Sequence, residues 1–207
     1  MAKINIIESN ADIQKKINKA LAKEVNKSLA FTARLVKSRI EPIIKTALLS
    51  SPEITSLRGG VLKAEFGLTS DPTGAIVNAI VSSLDVQFTK VDQNFNGGLA
   101  IVMQPDNFAN LFSLSVAEQP LDDYGSLPWL QWLLTLGDAI IITDFGVEFG
   151  NLPNSRTGLA VMRKSKAPYK VNSAFSGTTE NNFITRSVGR VRSQIVKIIE
   201  GVMKNGR

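Results

Sequence analysis

Residues 9–53 read SNADIQKKINKALAKEVNKSLAFTARLVKSRIEPIIKTALLSSPE, and this stretch decides the fold class. Ser9 or Asn10 supplies an N-cap, with Asp12 in the first turn. Ile13, Ile17, Leu21, Val25, Leu29, Val36, Ile40 and Ile43 then recur at mostly helical spacing. That pattern predicts one long amphipathic helix. Lys16, Lys19, Lys23, Lys27, Arg34 and Lys37 fall on the opposite side as a near-continuous basic stripe. Pro42 lacks an N–H, so the helix ends or kinks near Glu41, or runs on to about Leu49. Ser50-Ser51-Pro52-Glu53 breaks it, and Pro52 after a Ser cap can open a short second helix.

Outward from that helix the chain changes character. Gly59-Gly60, Gly67 and Asp71-Pro72-Thr73-Gly74 punctuate a mixed segment. In residues 75–84, Ile76, Val77, Ile80, Val81 and Leu84 fit a helix face while the β-branched content fits a strand, with helix the favoured reading for the first part. From Asp85 the period falls to two, Asn94–Gly98 signals a turn, and Leu99–Gln104 returns as a second strand. Leu111–Val116 reads as extended, and Ser126 as the cap of a short helix over Leu127–Leu134 that Gly137 ends. Ala139–Phe149 reads as a buried strand, Gly150–Asn154 as a turn, Leu159–Met162 as the returning strand, and Val171–Phe175 as another short strand. Ile184, Val188, Val191, Ile195, Ile198 and Val202 step by four and three, the cleanest helical pattern in the chain. The expected fold is a single α+β domain over 1–207. A long N-terminal helix and a C-terminal helix pack on an antiparallel sheet, and residues 1–50 form a helical arm or hairpin that can pack on a neighbouring subunit.

Composition narrows the chemistry. The 207 residues contain no Cys and no His. Disulfides, thiolate nucleophiles, Ser-His-Asp and Cys-His hydrolases, zinc enzymes and His-based pH switches are therefore excluded. No phosphate-cradling glycine loop and no nucleophile elbow is present. Asp122-Asp123 reads as a solvated turn, and Asp138, Asp144 and Glu148 as strand-end and solvent-face charges. No apolar run approaches the roughly 20 residues that span a bilayer. No secretory leader is recognisable at the N-terminus, and a cytoplasmic site of synthesis is expected. No metal or cofactor is called for.

Charge is segregated. Residues 1–49 hold ten basic and four acidic residues, net +6; residues 50–155 hold three and twelve, net −9; residues 156–207 hold eleven and two, net +9. Basic ends around an acidic middle suit docking of ends on middle, within a chain or between copies, or a basic surface toward nucleic acid. Interspersed solvated charge is the third possibility. Ser155–Gly158 and Arg163–Lys166 make a compact basic loop region. Trp129 and Trp132 either anchor the core or form an exposed contact face.

The order of these features resembles a family. A basic amphipathic helix leads to Ser51-Pro52-Glu53 and to Ser56-Leu57-Arg58-Gly59-Gly60-Val61-Leu62-Lys63-Ala64-Glu65-Phe66-Gly67-Leu68. Then come Pro128-Trp129-Leu130-Gln131-Trp132-Leu133-Leu134, Ser155-Arg156-Thr157-Gly158, Phe175-Ser176-Gly177-Thr178 and Asn181-Asn182-Phe183-Ile184-Thr185-Arg186 before the terminal helix. Most of the chain is similar to small virion proteins at the head–tail junction of tailed bacteriophages, of the neck and tail-completion type. The resemblance implies a non-enzymatic virion protein that forms six- or twelvefold rings around a DNA channel. Its partners would be copies of itself and adjacent head-completion, tail-terminator or tail-tube proteins. Expected subunit or partner contacts are Trp129, Trp132, Arg156, Arg163, Lys164, Asn182, Arg186 and Arg190. Charge reversal at Arg186 and Arg190 is expected to weaken assembly while the fold survives. The stripe from Lys16 to Lys37 is the candidate DNA-facing surface.

Overall fold

A computed structural model describes residues 9–105, 107–121 and 125–205. Helix α1 spans Asn10–Leu49, α2 Pro52–Gly59, α3 Val61–Glu65 and α4 Thr73–Ser82. Strands β1 (Leu84–Thr89) and β2 (Gly98–Met103) precede α5 (Ala109–Phe112), β3 (Gln119–Leu121), β4 (Gly125–Leu127) and α6 (Trp129–Thr135). Strands β5 (Phe145–Phe149) and β6 (Ala160–Lys164) and helix α7 (Phe183–Asn205) complete the chain. The fold is α+β, with long N- and C-terminal helices and small antiparallel sheets.

Two compact units divide these elements. One gathers the described residues of 1–40, 84–102 and 195–207; the other gathers 41–83 and the described residues of 103–194. In the first, α1 buries Ala22, Leu29, Ala33, Val36 and Ile40. In the second, Ile54, Leu57, Leu62, Ile76, Ile80, Leu111, Trp129, Leu133 and Phe183 are closed to solvent. Phe66 and Trp129 meet there with ring centroids 5.4 Å apart.

Helix α1 runs unbroken to Leu49 with Pro42 inside it, so the continuing alternative holds. Ser51 caps α2 by accepting from the Ile54 N–H at 3.2 Å. Residues 75–82 are helical, as their spacing indicates, within α4. Ile184, Ile195 and Val202 of α7 are buried, and Val188, Val191 and Ile198 half-buried. The N-terminal half of α1 differs. Ile13, Ile17, Leu21 and Val25 are 38, 48, 51 and 39% exposed. Strict four-residue steps drift about 40° per step around a helix of 3.6 residues per turn. The stripe therefore begins away from the buried face and only reaches it at Leu29.

Several expected elements are corrected. Among the described residues the expected single sheet is three two-stranded ones, β1–β2, β3–β4 and β5–β6. The pairs β3–β4 and β5–β6 are antiparallel, with Pro120 opposite Ser126 and Val147 opposite Met162. Leu111–Val116 is not extended. Asn107 Oδ1 accepts from the Ala109 N–H, and Leu111 and Phe112 donate to the Phe108 carbonyl, which closes the turn of α5. Ser126 lies in β4 and bonds Glu118, and α6 starts at Trp129 with Pro128 at its N-cap position and no side-chain cap. The buried strand over 139–149 shortens to β5, and Ile140 is 60% exposed. Residues 171–175 turn rather than extend, because Phe175 and Ser176 both donate to the Asn172 carbonyl.

Candidate functional site

The entry to α7 is built from inside the subunit. Asn182 is fully buried. Its Oδ1 accepts from the Ile184 N–H at 3.0 Å, and its Nδ2 donates to the Thr178 and Thr179 carbonyls. Gly177 lies so close that a Cβ there would stand 2.8 Å from Asn182. Arg186 donates to the nearly buried Glu53 carboxylate at 2.7 Å and to the carbonyls of Phe175, Ser176 and Asn181. Arg190 donates to the Ala47 carbonyl and to Ser187 Oγ. Asn182 thus has no surface to offer a partner, and both guanidiniums are engaged internally. Charge reversal at Arg186 would set two carboxylates together, so survival of the fold is not the expected result.

Trp129 is likewise closed to solvent, and its Nε1 donates to the Val116 carbonyl. It anchors the core, which removes it from the contact candidates. Trp132 is half-buried beside Tyr169, ring centroids 6.2 Å apart. Arg156, Arg163 and Lys164 are exposed. Arg156 donates to the Pro120 carbonyl, Arg163 pairs with Glu148 at 3.3 Å, and Lys164 sits opposite Phe145 in the β5–β6 register.

Two adjoining faces of α1 stay open. One is the apolar stripe from Ile13 to Val25; the other carries Lys16, Lys19, Lys23, Lys27 and Arg34, all exposed, and the half-buried Lys37. Lys19, Lys23 and Lys27 share a cleft of about 680 Å³ with Lys90, which follows β1. Asn26 fixes that arrangement. Its Nδ2 donates to the Val91 carbonyl at 2.8 Å, and its Oδ1 accepts from the Val91 N–H at 2.7 Å. Asp92 then folds the turn by accepting from the Asn96 and Asn94 N–H groups. The Asn96 N–H, seconded by that of Asn94, holds its carboxyl below the usual range. Gly97 closes the turn at φ +156, where a Cβ would come within 2.8 Å of the Val91 Cα.

A second polar centre lies in the larger unit. Glu65 ends α3, and Tyr169 pairs its backbone with Ile142. Both line an open cleft of about 640 Å³ and a smaller, partly open pocket of about 190 Å³. Burial raises the Glu65 carboxyl to about 7, although the Asn172 N–H and the Tyr169 hydroxyl offset part of that cost. Burial and the facing carboxylate push the Tyr169 hydroxyl upward as well. Glu65 Oε2 and Tyr169 Oη have no hydrogen-bond partner of ordinary geometry among the described residues. Nothing in the sequence around Tyr169 singles it out. The missed signal at Glu65 was a single acid inside the apolar run Val61–Leu68. Glu53, Asn26 and Lys90 gave no comparable signal, since each depends on a distant partner.

The acids of the middle segment do not converge. Asp138 pairs with Lys170 at 3.8 Å and Glu148 with Arg163, while Asp122 and Asp123 lie outside the described residues. Among the described residues no group of three or more metal-ligating side chains forms. None of their helices is long and apolar enough to cross a membrane. No protein family, curated protein or solved structure matches this chain.

Proposed function

We propose that this chain is a non-enzymatic structural subunit that joins copies of itself into a ring, of the neck or tail-completion type of a tailed bacteriophage. The observation that carries the reading is the exposed stripe Ile13, Ile17, Leu21 and Val25 on a 40-residue helix. Four large aliphatic side chains in a row on one helix mark a surface awaiting a partner, because apolar area left in water is unfavourable. The segregated charge supports the same reading. A basic end that meets an acidic middle on the next copy makes a head-to-tail contact, and such contacts close into a ring when the rotation between copies divides a full turn. The family likeness of the sequence supplies the virion setting.

Light scattering after size exclusion, across protein concentration and salt, tests the proposal. A discrete ring-sized oligomer free of nucleic acid is the expected result. A chain that stays monomeric at every concentration and salt refutes self-assembly as its function.

A further inference from the structure

The lysine cleft of the smaller unit is not explained by subunit contact. We infer that Lys19, Lys23, Lys27 and Lys90 form a groove for the phosphate backbone of duplex nucleic acid. The inference goes beyond the ring reading and stands whether or not a ring forms.

Its first ground is convergence. Three lysines from successive turns of α1 and one from the β1–β2 hairpin enter a single cleft. The two bonds from Asn26 to Val91 hold the hairpin's end against the helix, so Lys90 is positioned rather than loosely placed. Its second ground is available charge. Lys27 pairs with Glu24 at 2.7 Å, but Lys19, Lys23 and Lys90 make no ion pair among the described residues. Asp92, the acid in the cleft, accepts hydrogen bonds from its own turn and stays charged, so the four lysines and this one acid leave the lining with a net charge of +3.

Chemistry then selects the ligand. The lysines on α1 recur every four residues, a rise of about 6 Å per step, which addresses a regularly charged polymer. Lysines act as point charges suited to phosphates, without the fork that reads a base edge or grips a single carboxylate. No aromatic side chain lines the cleft. A single strand would therefore find nothing to stack on, and a duplex loses nothing by that. An acidic protein surface would gain most from nearby apolar anchors. Those lie on the neighbouring face of α1, leaving the lysine face to a polyanion.

The test is fluorescence anisotropy of a labelled mixed-sequence DNA duplex with the full chain, between 50 and 200 mM salt. Each phosphate neutralised contributes about −0.9 to the slope of log affinity against log salt. Three unpaired lysines predict a slope of about −2.7, or about a 40-fold loss of affinity across that range. Lys90→Gln and Lys23→Gln should each flatten the slope by about 0.9, whereas Lys166→Gln, the same charge change elsewhere, should not. Circular dichroism and oligomer mass measured on the same samples separate this result from unfolding or altered assembly. No binding at 50 mM salt overturns the inference, as do slopes equal in all variants. Displacement of the duplex by poly-glutamate at equal charge also overturns it and reassigns the groove to an acidic protein.

Discussion

Replacing Glu65 by Gln isolates the most displaced carboxyl among the described residues. The native chain holds the Glu65 proton to about pH 7, against 4.5 for the free group. The folded state therefore binds that proton more tightly than the unfolded state does. The associated stability is complete below pH 4.5, declines as pH rises, and is lost above 7. A shift of this size corresponds to about 3 kcal/mol, at about 1.4 kcal/mol per pH unit. Gln has the same shape and no charge, so the variant should lack this decline. Urea unfolding followed by tryptophan fluorescence suits the measurement, because Trp132 lies beside Tyr169 and both tryptophans belong to the same unit. With a urea dependence of about 2–3 kcal/mol per molar, the variant's midpoint at pH 8 should exceed the native one by about 1 M. At pH 4.5 the two midpoints should nearly coincide. Parallel pH dependence of the two proteins between pH 5 and 8 would refute the reasoning.

Other outcomes follow from contacts described above. Arg186→Met leaves the Glu53 carboxylate buried without its cation and should lower stability by about 3 kcal/mol, a drop in Tm of roughly 6–12 °C by calorimetry. Asn182→Ala removes the α7 cap and the ties to Thr178 and Thr179, so a loss of about 1–2 kcal/mol is expected in chemical denaturation. Ile17→Glu with Leu21→Glu changes exposed positions; oligomer mass should fall while the circular dichroism spectrum and Tm stay unchanged. Unaltered assembly in that double variant would remove the stripe from the interface.

Helices were legible where pattern and caps agreed. Ile184 to Val202 and the Ser51-Pro52 start both emerged from side-chain spacing and backbone chemistry that act within a few residues. The β1–β2 and β5–β6 hairpins were legible for the same reason, since Asn94–Gly98 and Gly150–Asn154 set their turns locally, whereas β3–β4 was missed because Ser126 read as a helix cap. Most of what failed depended on distance, with one local exception. The Leu111–Val116 alternation looked extended, but local bonds to Phe108 wound it into α5. The exposed state of Ile13 to Val25 was hidden because spacing reveals a stripe, not what covers it. At the candidate sites, Trp129 read as either core anchor or contact, and the structure buries it; Asn182 and Arg186 were placed among the contacts by the resemblance, and the structure engages both internally. Glu65 and Asn26 looked ordinary, and gained their roles from Tyr169 and Val91, each far away in sequence.

The drift of the apolar stripe on α1 sets a condition on whatever covers it. Steps of four exceed the helical repeat, so the line from Ile13 to Val25 winds about the axis in a right-handed sense, through roughly a third of a turn. A straight rod laid parallel to α1 would meet the line at one end and lose it at the other. The seat must instead cross α1 obliquely or curl partly around it. Such a seat also has a sense of direction, distinguishing the amino end of the helix from its carboxyl end.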